Sequence, residues 1–182
     1  MNASPNPLPP VTLVLGGARS GKSLYAEGLV EAHVEKGGKG IYLATAEAGD
    51  AEMKARIEEH KKRRGDAWET IEEPLDILGV LADHARPETP VLVDCLTLWL
   101  SNVMAAGRDV DGEIRALAET LLGVAGPVVL VSNEVGTGIV PDNALARSYM
   151  DTAGRMNQAV AAVAGRVVMM TAGLAQTLKD ET

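Results

Sequence analysis

Two stretches of this chain hold side chains at spacings that suit chemistry on a phosphate. The first is "GGARSGKS", Gly16 to Ser23, which fits the pattern G-x-x-x-x-G-K-[ST] and follows the apolar run "VTLVL". In such a loop the backbone N–H groups converge on phosphate oxygens at a helix N-terminus, the lysine reaches the outer phosphates, and the final hydroxyl can ligate Mg²⁺. Gly16, Gly17, Ala18, Arg19, Ser20, Gly21, Lys22 and Ser23 are therefore candidates for binding a nucleoside triphosphate, with Ser23 as a metal ligand. A Gly-rich turn without a ligand is the plain alternative, but here a strand precedes the loop and the helical segment "SLYAEGLVEAH" follows it, as the motif requires.

The second stretch is "KARIEEHKKRR", residues 54 to 64, with six basic residues, two acids and one histidine in a chain of formal net charge −8. Such charge runs commonly cover a solvated helix face with i,i+4 pairs. In a helix over 50–64, however, Met53, Ile57 and His60 fall at i, i+4 and i+7, so the imidazole continues the stripe that faces the protein. Arg56 lies one turn before it, and Arg63 and Arg64 lie one turn after. Neighbouring cations disfavour the imidazolium and keep the ring neutral and nucleophilic, while the same cations can bind a polyphosphate. Three readings of His60 stay open: a phosphate contact, a residue that carries a phosphoryl or nucleotidyl group covalently, or a packed surface histidine.

Further candidates sit at the ends of apolar runs. Asp94 closes "VLVD" and is placed to meet Mg²⁺, to cap the next helix, or both. After "PVVLVSN", the loop "SNEVGTGIVPDN" either holds substrate or makes a tight turn with Gly136, Gly138 and Pro141; its Glu134 could accept the proton of an attacking hydroxyl. Cys95, the single cysteine, lies in "VLVDCLTLWL" and reads as a buried, inert thiol.

These side chains need a frame to bring them together. Five β-branched runs stand out: 11–15, 40–45, 90–96, 127–133 and 166–172. They are continuously apolar rather than alternating, as strands of a parallel sheet covered on both faces are. Helical patterns fill 21–36, 50–64, 74–86, 97–106, 110–123 and 143–164, with Pro74 suited to a first turn. Strand and helix alternate, so the predicted class is α/β, a three-layer P-loop-type fold with right-handed crossovers and a mostly parallel sheet. Ligands of such sheets bind beyond the carboxyl ends of the strands, which directs attention to Gly16–Ser23, Ala44–Ala46, Asp94 and Asn133–Pro141.

Composition limits the possibilities further. At 182 residues, 46% apolar and 23% charged, the chain suits one catalytic domain over 11–182 behind a flexible leader at 1–10, "MNASPNPLPP". No apolar run approaches the roughly 20 residues that cross a bilayer, and the leader has no basic, apolar signal pattern. A cytoplasmic protein without a membrane span is expected. A net charge of −8 argues against nucleic acid as the partner, so any anion site must be local.

Taken together, "GGARSGKS", "ARIEEHKKRR", "VDCLTLWLSN" and "NEVGTGIVP…ARSYMDTAGRMNQ" resemble the bifunctional adenosylcobinamide kinase and adenosylcobinamide-phosphate guanylyltransferase family of corrinoid (vitamin B12) assembly, from Val11 to Leu178. The resemblance implies a phosphotransferase and nucleotidyltransferase with Mg²⁺ as cofactor. It would phosphorylate adenosylcobinamide with ATP or GTP, then couple adenosylcobinamide phosphate to GMP from GTP through a covalent GMP-histidine. On this basis His60 and Lys22 are the catalytic candidates. Nucleotide contacts carry over to Gly16–Ser23, to Ala44, Thr45 and Ala46, to Lys61, Lys62, Arg63 and Arg64, and to Glu72 and Asp94, with Ser23 and Asp94 on the metal. A homotrimer with sites between subunits is also implied. Some relatives carry two adjacent histidines in this helix, whereas here Glu59 precedes His60. The same-class alternative is a P-loop small-molecule kinase in which His60 only contacts phosphate. A nucleotide switch fits less well, because the chain has no N-K-x-D and no D-x-x-G opens at Asp94, where it reads "DCLTLW".

Overall fold

The computed structural model describes residues 8–34, 38–46 and 65–181. The helix expected over 50–64, with His60, lies outside the described residues. The described chain runs β1 (Val11–Gly16), α1 (Lys22–His33), β2 (Gly40–Ala44), a single 3₁₀ turn, β3 (Trp68–Glu72), α2 (Ile77–His84), β4 (Val91–Asp94), α3 (Leu96–Ala105), α4 (Val110–Leu122), β5 (Val128–Asn133), α5 (Ala144–Val163), β6 (Arg166–Thr171) and β7 (Leu174–Asp180). The seven strands form one sheet in the order β3-β2-β4-β5-β1-β6-β7, parallel except for β7. The α/β class and the mostly parallel sheet are as the sequence predicts.

Burial explains the arrangement. Every residue of the central β1 is buried, and β4 and β5 are buried except at their last residues, so β-branched side chains fill both sides of the sheet. Successive side chains alternate between two cores. Val14, Leu92, Val129 and Val131 pack with Ala26 and Val30 of α1. Leu13, Leu43, Val93 and Leu130 pack with Ile77, Leu81, Trp99, Leu100, Leu117, Met156 and Val160 of the other four helices. Trp99 is fully buried, with its indole N–H on the Leu75 carbonyl at 2.9 Å. No described helix is long and apolar enough to cross a membrane.

Several boundaries differ from the sequence reading. Pro74 precedes α2 rather than opening it, because the Asp76 carboxylate caps the helix by accepting from Gly79 N at 3.1 Å. The run 90–96 is a shorter strand, since Cys95 and Leu96 already belong to the cap and first turn of α3. Two edge strands escaped the reading: β3 is half-exposed and β7 is almost wholly exposed, so neither shows a continuous apolar run. A tight turn at Ala172 and Gly173, both with positive φ, reverses the chain from β6 into β7. The buried Arg166 guanidinium then ties the two strands through the Asp180 carboxylate at 3.3 Å.

Candidate functional site

Because β1 to β6 all run the same way, their carboxyl ends share one edge, and most described candidates stand along it. The P-loop joins β1 to α1. Its bend needs positive φ at Arg19 (56°) and Gly21 (92°). Tyr25 N donates to Gly21 O at 3.0 Å, while Ser20 N donates to Gly17 O at 3.3 Å. No side chain caps α1 or α3, whereas α2, α4 and α5 are capped by Asp76, Asp109 and Asn143. The first amides of α1 thus lack the side-chain acceptor that those helices supply, as an anion site at a helix N-terminus requires.

Backbone closeness fixes the loop. A Cβ on Gly16 would lie 2.5 Å from Ser20 Oγ and 2.8 Å from Met170 O, so only glycine fits there. Gly173 N donates to Ser20 O at 3.0 Å and Glu134 N to Gly16 O at 3.2 Å, which pins the loop from both sides. Ser20 Oγ is buried without a hydrogen-bond partner in the protein, a polar atom left over inside the cradle. Lys22 Nζ folds back onto Gly17 O at 3.3 Å.

Asp94 stands at the tip of β4, with β5 lying between it and β1. Two strand spacings put the β4 and β1 axes roughly 10 Å apart. Tyr42, buried on β2, donates its hydroxyl to Asp94 Oδ2 at 2.7 Å and so orients the carboxylate. The Asp94–Cys95 peptide is cis. A hydroxyl on Ser23 and a carboxylate on Asp94 are hard oxygen donors of the kind Mg²⁺ takes, usually one or two protein groups beside substrate phosphates and water. Among the described residues no group of three or more His, Cys, Asp or Glu could hold a metal by itself.

The Ala44–Ala46 segment divides. Ala44 is the register partner of both Asp94 and Glu72, so these three positions form a row on the edge. Glu72, at the tip of β3, is exposed. Its strand lies four spacings, roughly 19 Å, from β1. Thr45 is fully buried and committed to structure: Oγ1 donates to Cys95 O at 2.7 Å and accepts from Cys95 N at 2.9 Å. Asn102 Nδ2 bonds Thr45 O at 2.9 Å and Pro74 O at 3.0 Å, so α3 lies across the carboxyl edge. Cys95 is a buried free thiol, and burial, followed by the Asp94 charge, pushes it up from its ordinary value. That is an inert cysteine, as the sequence suggests.

At the tip of β5 a polar chain ties three elements. Ser132 Oγ donates to Asn157 Oδ1 at 2.7 Å, Asn133 Nδ2 to Thr97 Oγ1 at 2.8 Å, and Tyr149 Oη to Thr97 O at 2.8 Å. Asn157, in the "GRMNQ" stretch, therefore anchors α5 to β5. Glu134 Oε1 accepts from Gly136 N at 2.6 Å and closes the turn of the 134–143 loop. Arg147 fastens the far end of that loop, donating to Pro141 O at 2.9 Å and Asp142 O at 2.8 Å. Tyr42, Thr97, Asn102 and Tyr149 were not singled out from sequence. They sit among apolar neighbours, and only the fold reveals what their polar atoms meet. His60, Lys61, Lys62, Arg63 and Arg64 lie outside the described residues.

Known proteins resemble this chain over almost its whole length. A family model described as "Cobinamide kinase / cobinamide phosphate guanyltransferase" matches residues 12–178. The chain is 48% identical over 171 residues to the bifunctional adenosylcobalamin biosynthesis protein CobP of Pseudomonas aeruginosa, covering 93% of this chain and 97% of that protein. It is 40% identical to CobU of Salmonella typhimurium (92% and 98% covered) and 36% identical to CobU of Escherichia coli (92% and 98% covered), both carrying the same bifunctional description. Among solved structures, the flagellar accessory protein FlaH from Methanocaldococcus jannaschii aligns with a TM-score of 0.52 at 13% identity, over 96% of this chain and 80% of that one. That likeness concerns the fold alone.

Proposed function

The chain belongs to the cobinamide kinase / cobinamide phosphate guanyltransferase family, and on that premise we propose that it phosphorylates adenosylcobinamide and then converts the phosphate to adenosylcobinamide-GDP. One observation carries the reading at this site: an uncapped helix N-terminus behind a glycine-built loop, with Lys22 on it and Asp94 on the same sheet edge. In the kinase step the amides of Gly16–Ser23 hold the outer phosphates of ATP or GTP while Lys22 swings from Gly17 O to the γ-phosphate. The aminopropanol hydroxyl of adenosylcobinamide attacks the γ-phosphorus, the bond to the β-phosphate oxygen breaks, and the hydroxyl proton leaves to base. Ser23 and Asp94 would hold Mg²⁺, which supplies charge neutralisation on the phosphate oxygens when bound.

For the second step the proposal assigns His60 as nucleophile. Its neutral imidazole attacks the α-phosphorus of GTP, the bond to the β-phosphate oxygen breaks, and pyrophosphate leaves. An oxygen of adenosylcobinamide phosphate then attacks the same phosphorus and breaks the P–N bond, which releases adenosylcobinamide-GDP. Lys61, Lys62, Arg63 and Arg64 carry the cationic charge that would hold the triphosphate, and Ala44, Ala46 and Glu72 border the nucleotide along the edge. Action in the cytoplasm and assembly as a homotrimer belong to the same proposal. Sedimentation of the purified protein tests the assembly.

The deciding experiment uses GTP labelled in parallel at the α- or the γ-phosphate. Protein-bound label from the α-position only, acid-labile and base-stable, lost in His60→Asn and discharged by adenosylcobinamide phosphate, is expected. Absence of the adduct with γ-transfer to adenosylcobinamide intact would reduce the chain to a kinase and His60 to a phosphate contact.

A further inference from the structure

We propose that an apolar hollow above the carboxyl edge of the sheet, between α3, α5 and the 134–143 loop, seats the corrin ring of the acceptor; this rests on the function proposed above. The hollow encloses 640 Å³ and is walled by Met104, Ala105, Val135, Leu145, Tyr149 and Met150 among others. That volume lies within the roughly 300–1,000 Å³ typical of small-molecule sites.

Position argues first. Asn157 is bonded to Ser132 at the top of β5, and α5 then descends to feed β6. The helix from Asn157 back to Ala144 therefore rises roughly 20 Å above the edge at 1.5 Å per residue. α3 lies across that edge through Asn102, and Tyr149 is bonded to Thr97 in its first turn. The overhang so formed stands at the carboxyl end of the sheet, where the P-loop also opens, with α1 itself packed on the opposite face. Val135, on its wall, follows directly on Glu134, whose N–H bonds the first glycine of the P-loop.

Chemistry argues second. Among the described residues no carboxylate, ammonium or guanidinium lines the hollow. The acceptor is a broad macrocycle rimmed with uncharged carboxamides, whose aminopropanol arm alone must reach the phosphates. Met104 and Met150 are adaptable side chains suited to a large irregular face. Leu145 (74% exposed), Val140 (64%) and Ile139 (97%) continue the apolar surface around the loop. The hollow holds the ring and the adjoining P-loop holds the nucleotide, which brings the arm's hydroxyl to the γ-phosphorus.

The test fills the hollow from its rim. Ala105→Trp, at an exposed position in the last turn of α3, is expected to raise KM for adenosylcobinamide about tenfold or more, with KM for GTP and melting temperature unchanged. An independent reading uses the parent protein in the dark: adenosylcobinamide, but not GTP, should slow peroxide oxidation of Met104 and Met150, followed by peptide mass spectrometry. If the variant folds poorly, this protection decides alone. An unchanged KM for adenosylcobinamide, or equal oxidation with and without it, overturns the proposal while leaving the activity standing. A shift in the sedimentation of Ala105→Trp would make the hollow a contact between copies and likewise overturn it. A parent protein that turns over no adenosylcobinamide refutes the assigned substrate, and the hollow with it.

Discussion

Thr45→Val separates a structural hydroxyl from a ligand contact. Valine keeps the shape of threonine but removes the group that both accepts from Cys95 N and donates to Cys95 O, at 2.9 and 2.7 Å. Thr45 has no accessible surface, so no water can replace its hydroxyl without rearrangement. Each stranded buried backbone group costs about 1–3 kcal/mol. Taking about 3 kcal/mol for the pair, with 1 kcal/mol worth roughly 2–4 °C in a chain of this size, Tm should fall by roughly 6–12 °C. Thr45→Ser keeps the hydroxyl and should recover most of the loss. Thermal and urea unfolding read the stability, and GTP affinity is measured on both variants well below their melting temperatures. An unaltered Tm in Thr45→Val together with weakened GTP binding would refute the assignment and make Thr45 Oγ1 a nucleotide ligand.

Two further outcomes follow from the geometry. Gly16→Ala forces a methyl against Met170 O at 2.8 Å, a backbone atom that cannot turn aside; overpacking of this kind costs about 1–3 kcal/mol, and GTP titration together with a thermal melt should show weaker binding, lower stability, or both. Tyr149 is pushed up to about 12, mainly by burial and then by the Cys95 charge. A phenol raised in the folded state stabilises fully below its unfolded value near 10, and that contribution is lost as pH rises towards the folded value. Since part of the ring meets solvent, about 1 kcal/mol is expected after screening. Unfolding curves of the parent and Tyr149→Phe between pH 9 and 12 should therefore converge as pH rises.

Much of the fold was legible because its central strands are buried on both faces and say so in continuous runs such as "VTLVL" and "PVVLVS". The edges were not. β7, "LAQTLKD", carries no apolar stripe because almost all of it faces solvent, and only the glycine of the Ala172–Gly173 turn hinted at it. Helix 143–164 was found within a residue at each end, since Asn143 caps it by accepting from Ala146 N at 2.7 Å. The P-loop was readable because its chemistry demands particular residue types at fixed spacing. The Thr45–Cys95 pairing was not, because it joins segments 50 residues apart. Nor did "GRMNQ" disclose that Asn157 binds β5, since a buried asparagine and a solvated one look alike in sequence.

The phosphate cradle is built from main chain, whereas the hollow beside it is built from side chains. Gly16, wedged between Ser20 and Met170, and Gly21, at a φ of 92°, admit almost no other residue. Met104, Leu145 and Met150 line the hollow with side chains, and Leu145 is 74% exposed. With the acceptor seated as proposed, acceptor preference and phosphate chemistry can diverge at different rates in descendants of this chain. A library confined to the overhang should yield new specificities on an unaltered transferase.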